Sequence, residues 1–371
     1  MARSARTIAV LPGDGIGPEV IRAAVSLLEG VAEGSGEHFS LAELPFGGRA
    51  IDRCGAALPD ETLAACRAAD AVLLGAVGGP LWDPLPLAQR PESGLLALRK
   101  ELDLYINVRP TRLWESLRDI SALKASCAEK IDFEIVRELA GGIYFGEHRL
   151  ETKNGTEQAM DVEQYTASEV ERVARFAFQR AQGRRKHLTS VDKANVLATS
   201  VLWRRCVAEL AGEFPGVAVL HMDVDNAAMQ LVLAPQQFDV LVTSNLFGDI
   251  LNDGAAGLVG SIGMIPSMSC GTGTPVFELI HGSAPGLAGK DSACPVGAIL
   301  CVSMMLREAF GYREEALGIE SAVGRVLARG YRTPDIARAG DSVVGCSRFA
   351  GLVRQELRES LKQMECYGWG V

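Results

Sequence analysis

Thr7-Ile8-Ala9-Val10-Leu11-Pro12-Gly13-Asp14-Gly15-Ile16-Gly17-Pro18-Glu19-Val20 changes character twice along its length. Thr7–Leu11 is a short apolar run of the kind expected for a parallel strand covered on both faces. Glycines follow, and Pro18 then stands where the first turn of a helix tolerates it. A helical pattern continues over Glu19–Val31. Strand, glycine turn and helix in that order form the building unit of an α/β sheet.

The same alternation recurs along the chain. Short apolar runs lie at Ala71–Leu74, Phe133–Val136, Leu188–Val191, Val217–Leu220 and Val240–Thr243. Helical patterns lie at Ser168–Gln182, Ser200–Glu213 and Asp249–Leu258. The predicted fold is therefore α/β, a parallel or mixed sheet with helices on both faces. Leu150–Asp161 is polar without core periodicity, which reads as an exposed arm or a long loop. A chain of 371 residues suits two domains or one large α/β body.

Bulk chemistry narrows the partners. The formal charge of −9 argues against nucleic acid or an anionic membrane. It leaves room for an anionic substrate, because a few arginines can dominate one cleft. Nine cysteines without a C-x-x-C pair read as reduced thiols of a cytosolic protein. The most apolar stretch, Gly297–Leu306, is too short to span a bilayer, and Met1–Arg6 is a polar lead with no signal-peptide pattern. A soluble, cytoplasmic protein is expected.

The glycine loops mark a site without naming its ligand. Pro12–Val20 fails the Gly-x-Gly-x-x-Gly spacing of dinucleotide-binding turns, and a plain tight turn explains it as well. A second loop, Gly75-Ala76-Val77-Gly78-Gly79-Pro80, also follows a predicted strand, where open α/β sheets place their ligand crevice.

Candidate chemistry sits further along. Asp249 and Asp253 are spaced to share one helix face, where like charges repel unless a cation lies between them. His221-Met222-Asp223-Val224-Asp225-Asn226 offers further carboxylates at a strand end. Oxygen donors without a His–Cys cluster suit Mg²⁺ or Mn²⁺, although an Asp near a helix start equally serves as a cap. Arg99, Arg109 and Arg137 would grip a dicarboxylate if they converge, while singly each is explained by a surface ion pair. Lys193 follows a strand, and in a partly desolvated site it could serve as a base rather than as a solvated surface lysine. Flanking glycines would let Tyr144 project into a cleft, against ordinary packing as the plain alternative.

Taken in order, Leu11–Val20, Gly75–Pro80, Val136–Gly146, Ser190–Val196, Ser244–Asp253 and His281–Pro285 resemble the isocitrate/isopropylmalate family of β-decarboxylating dehydrogenases, in particular its isopropylmalate branch. The resemblance runs from about Ile8 to about Gly340. It implies a two-domain, non-Rossmann fold, with residues 1–105 and 262–371 in a cofactor-side domain. Residues 106–261 would form the other domain and the dimer interface, with an intersubunit arm near 142–165. It further implies a homodimer whose active sites are shared between subunits. Asp249 and Asp253 would hold the metal together with Asp225 of the second chain. Arg99, Arg109 and Arg137 would bind the malate carboxylates, Lys193 of the second chain would act as base, and Tyr144 as acid. Glu92, Leu95 and Leu96 would contribute to the substrate pocket, with Val196 opposite, and the leucines would favour an isopropyl group over a carboxylate.

NAD is the cofactor implied, held by Gly78, Gly79, His281, Gly282, Ser283, Ala284, Gly286 and Cys294. Two departures from the family pattern fall here. Gly286 stands where an acidic residue accepts hydrogen bonds from the adenosine ribose, and Cys294 stands where an amide faces adenine. The expected activity is oxidative decarboxylation of a 3-substituted malate, 3-isopropylmalate first. A paralogue acting on another alkylmalate, or a silent subunit with impaired cofactor binding, are the alternatives.

Overall fold

The computed structural model describes residues 5–366, so residues 1–4 of the polar lead Met1–Arg6 lie outside the described residues. The chain falls into two compact units. Unit 1 comprises Met1–Asp103, Trp114–Ile120 and Val259–Val371, and unit 2 comprises Leu104–Leu113 and Ser121–Leu258.

In chain order, unit 1 begins with β1 (Arg6–Gly13), α1 (Gly17–Ser35), β2 (Phe39–Glu43), α2 (Gly48–Cys54), α3 (Asp60–Ala68), β3 (Ala71–Ala76) and α4 (Pro91–Glu101). Unit 2 supplies β4 (Leu104–Arg112), β5 (Asp132–Glu138), β6 (His148–Lys153), β7 (Thr156–Asp161), α5 (Ala167–Gln182), β8 (His187–Asp192), α6 (Ala198–Leu210), β9 (Ala218–Asp223), α7 (Val224–Leu233), β10 (Val240–Thr243) and α8 (Asn245–Leu258). Unit 1 then resumes with β11 (Pro266–Gly271), β12 (Val276–Leu279), α9 (Val296–Glu308), α10 (Arg313–Ala328), β13 (Tyr331–Arg332), β14 (Ser342–Val343) and α11 (Cys346–Cys366).

Within unit 1 the main strands run in the order β2-β1-β3-β12-β11, parallel except for the β11–β12 pair. Within unit 2 the order is β4-β5-β10-β8-β9, parallel except for β4–β5. The expected mixed sheet flanked by helices is thus present. β3 and β10 are buried at every position, which explains the apolar runs Ala71–Leu74 and Val240–Val242.

The stretch Gly297–Leu306 lies inside α9, buried from Val296 to Leu306 and packed among α1, α10 and the strands β11 and β12. A helix apolar on all sides belongs at the centre of a core. No described helix is long and apolar enough to cross a membrane. In unit 2, α5 opens with a capping box: the Thr166 hydroxyl accepts from the Glu169 N–H, and the Glu169 carboxylate accepts from the Thr166 N–H. Such a cap contributes about 1 kcal/mol. The helix buries Val170, Val173, Ala174, Ala177, Phe178 and Ala181 along one stripe.

The polar stretch Leu150–Asp161 belongs to an antiparallel hairpin, β6 paired with β7, in which every residue is exposed. It is neither a long loop nor part of a core. Its turn is Asn154-Gly155, both at positive φ (53° and 77°), the geometry that a two-residue hairpin loop requires.

Candidate active site

In unit 1 the glycine loop after β1 joins other loops by backbone contact. Gly13 and Gly15 have positive φ, and a Cβ on them would stand 2.0 Å from the Ala76 carbonyl oxygen and 1.9 Å from that of Ser283, respectively. Only glycine permits this approach. Ile16 N–H donates to the Ser283 carbonyl at 2.8 Å, which sets the 281–290 loop beside the turn. Between the glycines, buried Asp14 accepts from the N–H groups of Gly48 (2.8 Å), Arg49 (2.9 Å) and Gly78 (2.9 Å). Burial pushes its carboxyl up, against the pull of those three N–H groups. The sequence reading passed over Asp14, although a carboxylate set between glycines at a strand end is suited to gathering loop N–H groups. Gly78 and Gly79 belong to this junction, where the Glu92 carboxylate lies against Gly78 and the Trp82 ring against Gly79.

Beside the junction is a cleft of about 410 Å³, lined by Ile16, Ser261, Ile262, Gly263, His281, Gly282, Ala284, Leu287, Ser292, Ala293, Cys294 and Asp335. Four of the expected cofactor residues, His281, Gly282, Ala284 and Cys294, line it; Ser283 is buried behind them. Gly286 is exposed, with open space where a Cβ would project. Burial holds His281 below its ordinary pKa, so the imidazole is neutral at pH 7. Burial raises the Cys294 thiol far above the usual range, which makes it an inert apolar wall. Asp335, which the sequence reading did not single out, accepts from Ser261 Oγ (2.5 Å) and Thr333 Oγ1 (2.6 Å). Ser292 Oγ is buried at the cleft without a hydrogen-bond partner.

On α4, Glu92, Leu95, Leu96 and Arg99 recur at helical spacing along one face, while Leu98 is buried on another. Arg99 Nη2 reaches both oxygens of Glu278, at 3.1 and 3.2 Å. Glu278 also accepts from Ser269 Oγ at 2.6 Å.

In unit 2, five of the expected residues come together. Arg137 on β5 donates from Nη1 to Asp249 Oδ1 at 2.5 Å, and the Tyr144 hydroxyl donates to Asp249 Oδ2 at 2.7 Å. The Arg137 guanidinium also lies over the Tyr144 ring, 5.7 Å from its centroid. Arg109 on β4 approaches Asp253 at 3.7 Å, and its Nε donates to Asn107 Oδ1 at 3.0 Å. Burial acts to raise the Asp249 carboxyl, but Arg137, the Tyr144 phenol and Arg109 outweigh it and hold the group below the usual carboxylate range. Burial raises the Tyr144 phenol, and the hydrogen bond to Asp249 raises it further. The phenol is therefore protonated at neutral pH and able to donate.

Lys193 and Asp225 form a separate pair, with the ammonium donating to Asp225 Oδ1. The Val196 side chain, just beyond, is largely exposed. Among the described residues no group of three His, Cys, Asp or Glu side chains gathers as a metal cage. One chain thus presents Asp249 and Asp253 on α8, and Asp225 apart from them on α7.

Comparisons with known proteins bear on this geometry. A family model described as isocitrate/isopropylmalate dehydrogenase matches residues 7–353. A protein of Moorella thermoacetica named 3-isopropylmalate dehydrogenase is 56% identical over 353 residues, spanning 95% of this chain and 99% of its own length. One of the same name from Bacillus subtilis is 53% identical over 337 residues, with 90% and 92% of the two chains covered. Among solved structures, an isocitrate dehydrogenase from Methylococcus capsulatus is 36% identical with a TM-score of 0.85, over 95% of this chain and 99% of that one. A β-decarboxylating dehydrogenase from Thermococcus kodakarensis in apo form is also 36% identical, with a TM-score of 0.80 over 97% and 98%.

Proposed function

The chain belongs to the isocitrate/isopropylmalate dehydrogenase family, and from that premise we propose how its residues carry out oxidative decarboxylation of 3-isopropylmalate, with NAD as acceptor and Mg²⁺ or Mn²⁺ as the metal. It is a β-decarboxylating dehydrogenase of the isopropylmalate type, and the reaction, a step of leucine biosynthesis, yields 4-methyl-2-oxopentanoate. The observation that carries the residue assignment is the convergence of Arg137 and Tyr144 on Asp249.

Both absent groups fit the residues present. Asp249 is held ionised one helical turn from Asp253, whose side chain is mostly exposed, an all-oxygen set suited to a hard cation. The 410 Å³ cleft, with its unpartnered Ser292 hydroxyl, offers both room and a polar anchor for the adenosine end of NAD. When bound, the metal would supply a Lewis acid at the substrate oxygen and the nicotinamide a hydride acceptor.

Arg99, Arg109 and Arg137 bind the carboxylates of the malate. Lys193, contributed by the second subunit, takes the hydroxyl proton, and Tyr144 returns a proton to the carbon that loses CO₂. Leu95 and Leu96, with Val196 of the second subunit, receive the isopropyl group. Each methyl or methylene buried there is worth about 0.8 kcal/mol, whereas a carboxylate against the leucines would be far costlier, so isocitrate is excluded more firmly than another alkylmalate.

The homodimer rests on apolar surface. Met229, Val232 and Leu233 on α7, and Ile250 on α8, are at least half exposed, and the hairpin displays Leu150 and Met160. Burying them against a second copy would bring Lys193 and Asp225 of one chain to Asp249 and Asp253 of the other.

Initial rates with 3-isopropylmalate, an unbranched 3-alkylmalate and isocitrate, each with NAD or NADP and Mg²⁺, test the reading. Reduction of NAD with matching CO₂ release from 3-isopropylmalate alone is expected. Turnover of a different alkylmalate in its place would move the assignment to a paralogous pathway.

A further inference from the structure

Asn245, the first residue of α8, has no exposed surface, and its two side-chain polar atoms face the site rather than the helix end. Oδ1 accepts from Arg137 Nε at 3.0 Å and Nη2 at 2.7 Å, while Nδ2 donates to the Gly141 carbonyl at 2.9 Å. Gly141 leads directly into the 3-10 turn Gly142–Tyr144. The start of that turn is fixed by Glu138, which accepts from the N–H groups of Ala140 (3.0 Å) and Gly141 (2.8 Å). The Asn245 N–H donates to Tyr165 Oη at 2.9 Å, and a Cβ on Gly142, at φ +75°, would stand 2.3 Å from that oxygen. The loop therefore rests on the group that Asn245 also holds.

Only a side chain with an acceptor and a donor on one fork makes both contacts. Aspartate keeps the acceptor and loses the donor; alanine loses both, leaving buried partners unsatisfied. We propose that Asn245 is a positioning residue for the decarboxylation half of the reaction: its amide holds the Arg137 guanidinium and the Tyr144 loop in one frame, and so fixes the face on which the substrate carbon is protonated. The inference rests on the roles given above to Arg137 and Tyr144.

The test runs the reaction in D₂O and traps the keto acid as it forms, so that deuterium at C3 reports the face of protonation. Wild-type enzyme is expected to give one configuration. Asn245→Asp, which preserves shape and the acceptor for Arg137, should leave KM within about threefold while kcat falls about tenfold and both configurations appear. Asn245→Ala should show the same loss and also raise KM about tenfold. Thermal melting checks folding, and if the alanine variant does not fold, the aspartate variant decides. Tyr144→Phe is measured alongside: full rate and a single configuration there would remove the role of Tyr144 itself. With Tyr144→Phe impaired, a single configuration and wild-type kcat in Asn245→Asp would overturn the positioning role.

Discussion

At the scale of single residues, the site depends on a few groups whose environments differ sharply. Tyr144 stays protonated because it is partly buried and bonded to an ionised carboxylate, whereas Asp249 stays ionised because two guanidinium groups face it. Leu95, half-buried on the same helix face as Arg99, is assigned to the alkyl pocket. Leu95→Ala should lower kcat/KM for 3-isopropylmalate about tenfold and change that for unbranched malates less, as steady-state kinetics would read. Equal losses on both substrates would undo the pocket. Gly286 makes the second residue-scale prediction. Its surroundings are empty and its φ is unstrained, so Gly286→Asp fits without rearrangement. One charge-assisted hydrogen bond to the ribose should tighten NAD about tenfold in a fluorescence titration. An unchanged Kd would mean that the ribose lies elsewhere.

At the scale of elements, the sequence was legible where burial was uniform and obscure where buried positions were polar. β10 is apolar at its first three positions and was located to the residue. β4 carries Asn107 and Arg109 inward, and β11 and β12 bury Ser267, Ser269 and Glu278, so their apolar runs were interrupted and went unread. Asn245 and Glu138 were missed for a related reason: a buried amide or carboxylate that serves neighbouring loops leaves no periodic signal. The hairpin β6–β7 has no buried face at all, yet Asn154-Gly155 carried its turn signature and could have located it. Its open end is closed by His148 and Asp161, a paired position in the ladder, with Nδ1 2.6 Å from the carboxylate. The Asp161 hydrogen bond, and then the Tyr144 carbonyl, raise the imidazole above its ordinary 6.5. This contribution to the closed end is fully present below pH 6.5 and is lost as pH rises through the elevated folded value. NMR titration should place His148 above 6.5 and find it returned towards 6.5 in Asp161→Asn. An unshifted His148 in the wild type would show that the pair does not form in solution.

For the whole molecule, length and composition bounded size and class and argued against a nucleic-acid partner, but did not show how residues from distant segments meet. The cluster of Arg109, Arg137, Tyr144, Asp249 and Asp253 is drawn from four separate stretches of unit 2, and no spacing within one stretch announces it. A second copy is required by the proposed assembly, because Lys193 and Asp225 pair with each other and away from Asp249 and Asp253. Leu233→Asp, on the exposed face of α7, should convert a dimer to monomers in sedimentation experiments and abolish turnover together with the dimer. The most direct test mixes two inactive variants, Lys193→Ala and Asp249→Asn, by joint unfolding and refolding. A hybrid dimer would then contain one site with both native groups, so the mixture should recover about a quarter of wild-type activity with NAD and 3-isopropylmalate, half of the dimers being hybrid with one working site each. A mixture as inactive as its two components would contradict the shared site.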